Sequence, residues 1–259
     1  MASQICSQMG KLSISKVLEG TLGNHGFKIM YRSINKNTFI SPWHDIPLQA
    51  SANHYYFVNE IPMHTLKKME VNTKEQFNPI IQDEKKGKLR EFTYRLDAGG
   101  IPFNYGMLPQ TWEDPKKLIH VPFGQVKDGV YQPTVAVQGD NDPIDVVEIS
   151  DVALEMGEVY KIKVFGILAM IDEGEMDWKV IGRVVSESET STQQPDEDLQ
   201  DIYDIPKGKI NDIIDWFRMY KTTDGKPENH FGFNTTVLDK AYAKHIINQT
   251  HKHWSAMSK

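Results

Sequence analysis

Cysteine is nearly absent: Cys6 is the only one among 259 residues. An intrachain disulfide framework is therefore excluded, and this usage fits a reducing compartment. Long apolar runs are missing too. None approaches the ~20 residues of a membrane span, and no secretory apolar segment opens the chain, so no membrane partner is expected. The first eighteen residues hold Ser and Lys without an acid, as transit peptides do, but they hold no Arg. A disordered tail and a cytoplasmic location are the expectation, with an organellar form as the alternative. Basic residues are outnumbered, 29 Lys and Arg against 35 Asp and Glu, for a net charge of −6. A general nucleic-acid binder needs a basic face, so nucleic acid is not an expected partner. The deficit does not speak against an anionic small molecule, because a bound Mg²⁺ reverses the local sign. Linker-like composition shifts and internal repeats are also lacking. Residues 1–24, ending in the loop-like Gly20-Thr21-Leu22-Gly23-Asn24, read as a flexible tail, and residues 25–259 as one domain.

What the chain does have is acid in clusters. Gly139-Asp140-Asn141-Asp142-Pro143-Ile144-Asp145 follows the apolar run Val135-Ala136-Val137. An extended backbone would point Asp140 and Asp142 to one face, and Pro143 could turn Asp145 back toward them. Carboxylates gathered this way repel one another unless a cation joins them, and oxygen donors suit a hard ion such as Mg²⁺. Taken alone, the stretch suits an acidic surface turn equally well. An EF-hand loop fails, because Ile144 and Asp145 stand where it needs a ligand and its glycine.

A second acidic corner follows the strand-like run from Tyr160 to Ile171. Asp172 ends that strand, Glu173-Gly174-Glu175 turns, and Asp177-Trp178-Lys179 starts the return, which brings Asp172 and Asp177 together with Lys179 on the face of Asp177. Upstream, Lys68 and Glu70 share a face of a short strand and read locally as a solvated pair. Asp83 to Arg90 reads as a charged turn. Phe123 to Val130 suggests an extra hairpin around Asp128-Gly129. Near the end, Leu199, Ile202 and Tyr203 mark a short amphipathic helix. Asn211 is the expected N-cap of another, striped by Ile210, Ile213, Ile214 and Phe217. A last helix is expected from about Val237 to Trp254. Its His245, His251 and His253 lack the companions of a zinc site and read as an exposed face.

The first acidic stretch also fits the D-x-D-P-x-D signature of soluble inorganic pyrophosphatases. From about Phe39 to Trp254 the chain resembles the eukaryotic branch of that family. The resemblance runs through Ser41-Pro42-Trp43-His44-Asp45, Asn78-Pro79-Ile80, Asp83, Lys86-Gly87-Lys88-Leu89-Arg90 and Asn104-Tyr105-Gly106. It continues through Pro109-Gln110-Thr111-Trp112-Glu113-Asp114-Pro115, Asp172 to Lys179, and Tyr220-Lys221-Thr222-Thr223-Asp224-Gly225. Several separate motifs in one order make a chance match unconvincing. The segment from Lys116 to Gln138 departs from the pattern by its length.

This resemblance implies an α+β, mainly β fold: a closed five-stranded OB-like barrel with flanking strands and two or more C-terminal helices. It implies hydrolysis of pyrophosphate with two or more Mg²⁺ per site. Asp140, Asp145, Asp172 and Asp177 match metal ligands, Glu60 and Glu70 match acidic residues of the metal cavity, and Asp142 matches a ligand and proton acceptor. Lys68, Arg90, Tyr105, Lys179, Tyr220 and Lys221 match the groups that hold phosphate during catalysis. A guanidinium suits that task through parallel hydrogen bonds. Two rival readings are weaker. A nucleoside-diphosphate or sugar-phosphate hydrolase would show a Nudix-type helix or a Gly-rich phosphate loop, and a barrel binding single strands would carry a basic aromatic groove. Ile101 stands where relatives commonly carry a tyrosine proposed to act on the leaving group. Ile101 cannot donate a proton, so that role would fall to Lys179, Lys221, another tyrosine or water.

Relatives are typically homodimers, often with an Arg-Trp pair where Met63-His64 follows Glu60-Ile61-Pro62 here. A homodimer is therefore expected despite the loss of two favoured interface anchors. Sedimentation at micromolar concentration should give twice the chain mass of 29.7 kDa, and a monomer at that concentration counts against the dimer.

Overall fold

The computed structural model describes residues 12–123, 126–127, 130–131, 134–185 and 199–257. Strands in chain order are β1 (Ile14–Glu19), β2 (Lys28–Ser33), β3 (Thr38–Ile40), β4 (Gln49–Ser51), β5 (His54–Ile61), β6 (Met69–Val71) and β7 (Ile80–Gln82). They continue as β8 (Glu84–Lys85), β9 (Lys88–Leu89), β10 (Asn104–Met107), β11 (Leu118–Pro122), β12 (Val126–Lys127) and β13 (Val130–Tyr131). After these come β14 (Thr134–Gly139), β15 (Asp145–Glu148), β16 (Val159–Asp172), β17 (Glu175–Val184), β18 (His230–Phe231) and β19 (Leu238–Asp239). Two α-helices, α1 (Lys207–Met219) and α2 (Lys240–Ser255), complete the mainly β architecture. No helix among the described residues is long and apolar enough to cross a membrane.

Five strands pair in a ring. β17 runs parallel to β15, β15 antiparallel to β10, β10 to β5, β5 to β16, and β16 returns antiparallel to β17. This ring is the observed counterpart of the expected barrel. Both of its faces are covered, which is why β5 and β16 read as apolar runs rather than alternating ones. Phe57, Ile167 and Val180 enter one core cluster with Ala243, Ile246 and Ile247 of α2. Their neighbours Val58, Leu168 and Ile181 enter the other, with Ile213, Trp216 and Phe217 of α1. A smaller sheet, ordered β1-β2-β7-β6 with β3 beside β2, extends the second cluster.

Four expectations are corrected here. The tail was expected to reach residue 24, yet Ile14–Glu19 form β1, paired along its length with β2. Ile14 is buried, and Lys16 is tolerated inside because its ammonium meets Glu155 at 2.7 Å and Glu158 at 2.6 Å. Residues 1–11 lie outside the described residues. α1 begins at Lys207 after Pro206 and not at Asn211; proline's fixed φ starts a helix readily, whereas Gly208 in the first turn obscures the start in the sequence. The short helix around Ile202 is a 3₁₀ turn, Ile202–Asp204, that buries Ile202 and leaves Tyr203 at 78% exposure. His251 and His253 are half-buried, not an exposed face. His251 Nδ1 lies 2.7 Å from the Gln110 carbonyl, because the end of α2 packs on that distant segment. The extra hairpin is present as β12 and β13 within the longer β11–β14 pair, although its tip at Asp128-Gly129 lies outside the described residues.

One glycine decides how closely the ring can close. A Cβ on Gly106 of β10 would stand 2.0 Å from the Val58 carbonyl oxygen of β5, beside the register shift between Tyr105 and Gly106. Gly106→Ala should lower stability by about 1–3 kcal/mol or more, the usual cost of forcing atoms into a packed interior. Urea unfolding measures it, and an unchanged midpoint would show that the two strands can separate without penalty.

Candidate active site

Each candidate residue reaches the site from an element whose geometry the core dictates. β17 carries Asp177 and Lys179 two residues apart, hence on one face. Its parallel neighbour β15 sets Asp145 opposite Lys179, and its antiparallel neighbour β16 sets Met170 opposite Asp177. β10 contributes Tyr105, whose neighbour Met107 lies opposite Asp145. Glu60 comes from the end of β5, Glu70 from β6, and Tyr220 and Lys221 from the residues that close α1.

These groups line one cavity of about 270 Å³, together with Lys68, Arg90, Asp140, Asp142 and Asp172. The structure thus brings every candidate residue into one place. Ile101 also lines it, at 1% exposure.

Asp140 and Asp142 arrive there by a different route from the extended one expected. Asn141 adopts φ +76°, and the Asp142 backbone N–H donates to Asp140 Oδ1 at 3.0 Å. The stretch is a tight turn, a conformation that asparagine tolerates better than most residues. Its shape is imposed from outside. Glu113 N–H donates to the Asp142 carbonyl at 2.9 Å, Asn141 N–H to the Glu113 carbonyl at 3.0 Å, and Ile144 N–H to Thr111 Oγ1 at 3.0 Å.

Cations and anions alternate through the cavity. Lys179, 2% exposed, donates to Asp145 at 2.6 Å, to Tyr105 Oη at 2.7 Å and to Asp177. Tyr105 in turn donates to Asp145 at 2.5 Å. Lys221 spans both oxygens of Asp172 at 2.5 Å. Lys68 pairs with Glu70 and, at 3.1 Å, with Asp83, which also holds Arg90. Burial works against the ammonium groups of Lys68 and Lys179, yet their carboxylate partners raise both well above the usual lysine range. The same pairing lowers Asp83 despite its burial.

The acidic side behaves in the opposite sense. Burial, then the charge of Asp145, pushes Glu60 up, and burial, then Asp177 and Asp142, pushes Asp140 up. Asp142 is pushed up to about 7, first by loss of surrounding water and then by Glu70 and Asp145. Asp177 is pushed up to about 7 by burial first, with Lys179 opposing and Asp145 adding.

Sequence reasoning did not pick out two residues of the site. Asp83 and Glu113 entered only as letters of family motifs. Asp83 bridges Lys68 and Arg90. Glu113, 3% exposed, accepts from Trp178 N–H at 3.0 Å and brings one carboxylate oxygen to within 4.8 Å of oxygens of Asp140 and Asp177. No local pattern announces it, since its partners lie on other strands. The donors are all hard oxygens, and one oxygen of Glu113 is buried without a hydrogen bond, so these residues fit a divalent cation.

A sequence model described as Inorganic pyrophosphatase matches residues 57–255. The chain belongs to the inorganic pyrophosphatase family. It is 44% identical over 234 residues to the inorganic pyrophosphatase of Homo sapiens, covering 89% of this chain and 75% of that one. Among solved structures it is similar to the inorganic pyrophosphatase of Schistosoma japonicum (TM-score 0.82, 40% identity, 93% of this chain and 80% of that one). It is also similar to an N-terminally truncated vacuolar soluble pyrophosphatase of Trypanosoma cruzi in complex with PPi (TM-score 0.78, 37% identity, 94% of this chain and 90% of that one).

The crowding of acids gives this pyrophosphatase a pH signature without metal. Asp142 and Asp177 titrate near 7 in the folded chain against an ordinary value of 3.8. The fold therefore favours their neutral forms. The stabilisation this confers is complete below the ordinary value and is lost as pH rises to about 7. In chelator, the melting temperature should fall from about pH 4 to about pH 7 and flatten above. Asp142→Asn should narrow the drop; a drop of full size in that variant means Asp142 does not contribute.

Proposed function

We propose that the protein hydrolyses inorganic pyrophosphate to two orthophosphates, with Mg²⁺ as its working cation and water attacking one phosphorus in line. The observation that carries this reading is one cavity in which Asp140, Asp142, Asp145 and Asp177 gather beside Lys68, Arg90, Lys179 and Lys221. A substrate made only of two linked phosphates needs both: cations of the chain for its oxygens, and carboxylates for the metals that accompany it. The family membership and the PPi complex of the Trypanosoma cruzi relative support the same substrate.

Asp140, Asp145, Asp172 and Asp177 would hold the metal, with Glu60 and Glu70 adding charge. When bound, Mg²⁺ supplies positive charge to the phosphates and acidifies water. Asp142 accepts the proton of the attacking water. Arg90 donates parallel hydrogen bonds to phosphate oxygens, and Lys68, Lys179 and Lys221 offset charge that grows on the departing phosphate. Tyr105 and Tyr220 are held in the hydroxyl form by burial, ahead of Asp145 and Asp172 respectively, and so remain donors to phosphate. Ile101 offers no proton, so the leaving phosphate takes one from these lysines and tyrosines or from water. The native assembly is proposed to be the homodimer and its location the cytoplasm.

Phosphate release from pyrophosphate is the deciding assay. Turnover is expected with Mg²⁺ and none after chelation. Ca²⁺, which accepts the same carboxylates at ~2.3–2.6 Å instead of ~2.1 Å, should bind yet inhibit, because longer bonds polarise water less and shift it off line. Turnover on nucleoside diphosphates or sugar phosphates in preference to pyrophosphate would transfer the reading to another phosphohydrolase. Asp142→Asn should keep the fold and lose on the order of 10²–10⁴ in turnover, the range for a positioned proton acceptor. A variant with normal turnover and an intact melting profile removes Asp142 from the role of base.

A further inference from the structure

We propose that Thr93 is a positioning residue: with Thr223 and Asp224 it forms a clasp at the edge of the cavity, fixing the turn that carries Lys221 to the segment that carries Arg90. Thr93 Oγ1 donates to Asp224 Oδ1 at 3.0 Å and lies 2.7 Å from Thr223 Oγ1. A carboxylate oxygen accepts, so Thr93 spends its own proton on Asp224 and takes that of Thr223. Both sides of the clasp are anchored. Next to Thr93, Phe92 N–H donates to the Leu66 carbonyl at 2.7 Å, and Lys68 N–H donates to the Arg90 carbonyl at 3.1 Å. On the other side the 3₁₀ turn Thr222–Asp224 folds back on its own start. The Lys221 carbonyl accepts from Asp224 N–H at 3.0 Å and from Lys226 N–H at 3.2 Å. A hold on Asp224 is therefore a hold on the backbone of Lys221.

The fold does not need this clasp to join the two walls. Phe92 already packs edge-on against Trp216 and Tyr220, with ring centres 5.7 Å and 6.2 Å apart. Thr93, Thr223 and Asp224 are exposed, where water readily replaces a lost hydrogen bond. What the clasp adds is order at one turn. Lys221 rests on Asp172 and Lys226 on Glu173, and these pairs hold the same turn from the opposite side. A phosphate that draws Lys221 off Asp172 would remove the nearer of those holds. The partners of Thr93 carry no positive charge for a phosphate to take, so the clasp would survive the exchange. The turn is then ordered before the anion arrives and stays ordered afterwards, which spares the anion that cost and raises affinity.

This inference rests on the phosphate-binding roles proposed above for Arg90, Tyr220 and Lys221, and the test separates the two. Calorimetry with Mg²⁺ and methylenediphosphonate, whose phosphorus–carbon bonds water does not cleave, reads affinity without turnover. Initial rates on pyrophosphate give KM and kcat apart. The wild-type chain should bind the diphosphonate. Thr93→Val, which nearly keeps the shape and removes the hydroxyl, should lose roughly 3–10-fold in that affinity, the worth of one hydrogen bond. Its KM should rise by the same factor with kcat nearly unchanged. Its melting temperature should stay within ~2 °C of the wild type, as for other exposed substitutions. Thr93→Ser keeps the hydroxyl and should restore the affinity. Thr93→Val combined with Thr223→Val should lose no more than Thr93→Val alone, because Thr223 crosses the gap only through Thr93. If Thr93→Val binds the diphosphonate as the wild type does, or if Thr93→Ser is as weak as Thr93→Val, the clasp does not position Lys221 and the inference falls. It falls too if affinity and melting temperature drop together in Thr93→Val, for Thr93 is then a structural residue. If the wild-type chain neither binds the diphosphonate nor hydrolyses pyrophosphate, the proposed function itself falls.

Discussion

The ammonium of Lys179 is the constraint to which the site answers. Taking such an ion out of water costs several kcal/mol unless partners surround it. Tyr105, Asp145 and Asp177 surround it here, and they come from three strands of the ring. The pairing of β17 with β15 on one side and β16 on the other is therefore also the condition for keeping Lys179 inside. A slip of one residue in β17 would turn Lys179 and Asp177 to the opposite face and strand a charge in the core. Fold and site share one register.

Every lysine and arginine proposed to hold phosphate sits on a carboxylate: Lys68 on Glu70 and Asp83, Arg90 on Asp83, Lys179 on Asp145 and Asp177, Lys221 on Asp172. Loading such a cavity is an exchange of partners rather than an addition. A cation drawn to Asp172 or Asp177 would release Lys221 or Lys179 toward an anion, and an anion drawn to the lysines would release the carboxylates toward a cation. By linkage each arrival strengthens the other by the same factor.

Much of this was legible in the chain because it was local. The turn after Asp172 and the common face of Asp177 and Lys179 follow from period-two alternation, and the apolar run from Tyr160 to Ile171 announced the strand β16. The motif resemblance then gathered residues that spacing alone could not relate, such as Lys68 and Tyr220. What stayed hidden was non-local. Extended geometry was the natural reading of Asp140 and Asp142 until the segment carrying Thr111 and Glu113 bent it into a turn. Glu113 was passed over because nothing near it in sequence is acidic on the same face. The histidines of α2 looked exposed because the groups that cover them lie more than a hundred residues away, as the pair of His251 with Gln110 does.

The end of α2 contributes nothing to the cavity walls, yet it is the backstop of the acidic turn. Trp112 N–H donates to the Thr250 carbonyl at 3.0 Å, and Trp254 Nε1 donates to His44 at 2.7 Å, beside the segment that holds Asn141 and Asp142 in shape. Helix ends open more readily than a strand ring does. When the last turns of α2 open, the Gln110–Asp114 segment loses these contacts and keeps its bonds to Trp43 and His44. A helix end outside the cavity is thus one of two braces behind the acidic corner, and its opening leaves that corner held from one side alone.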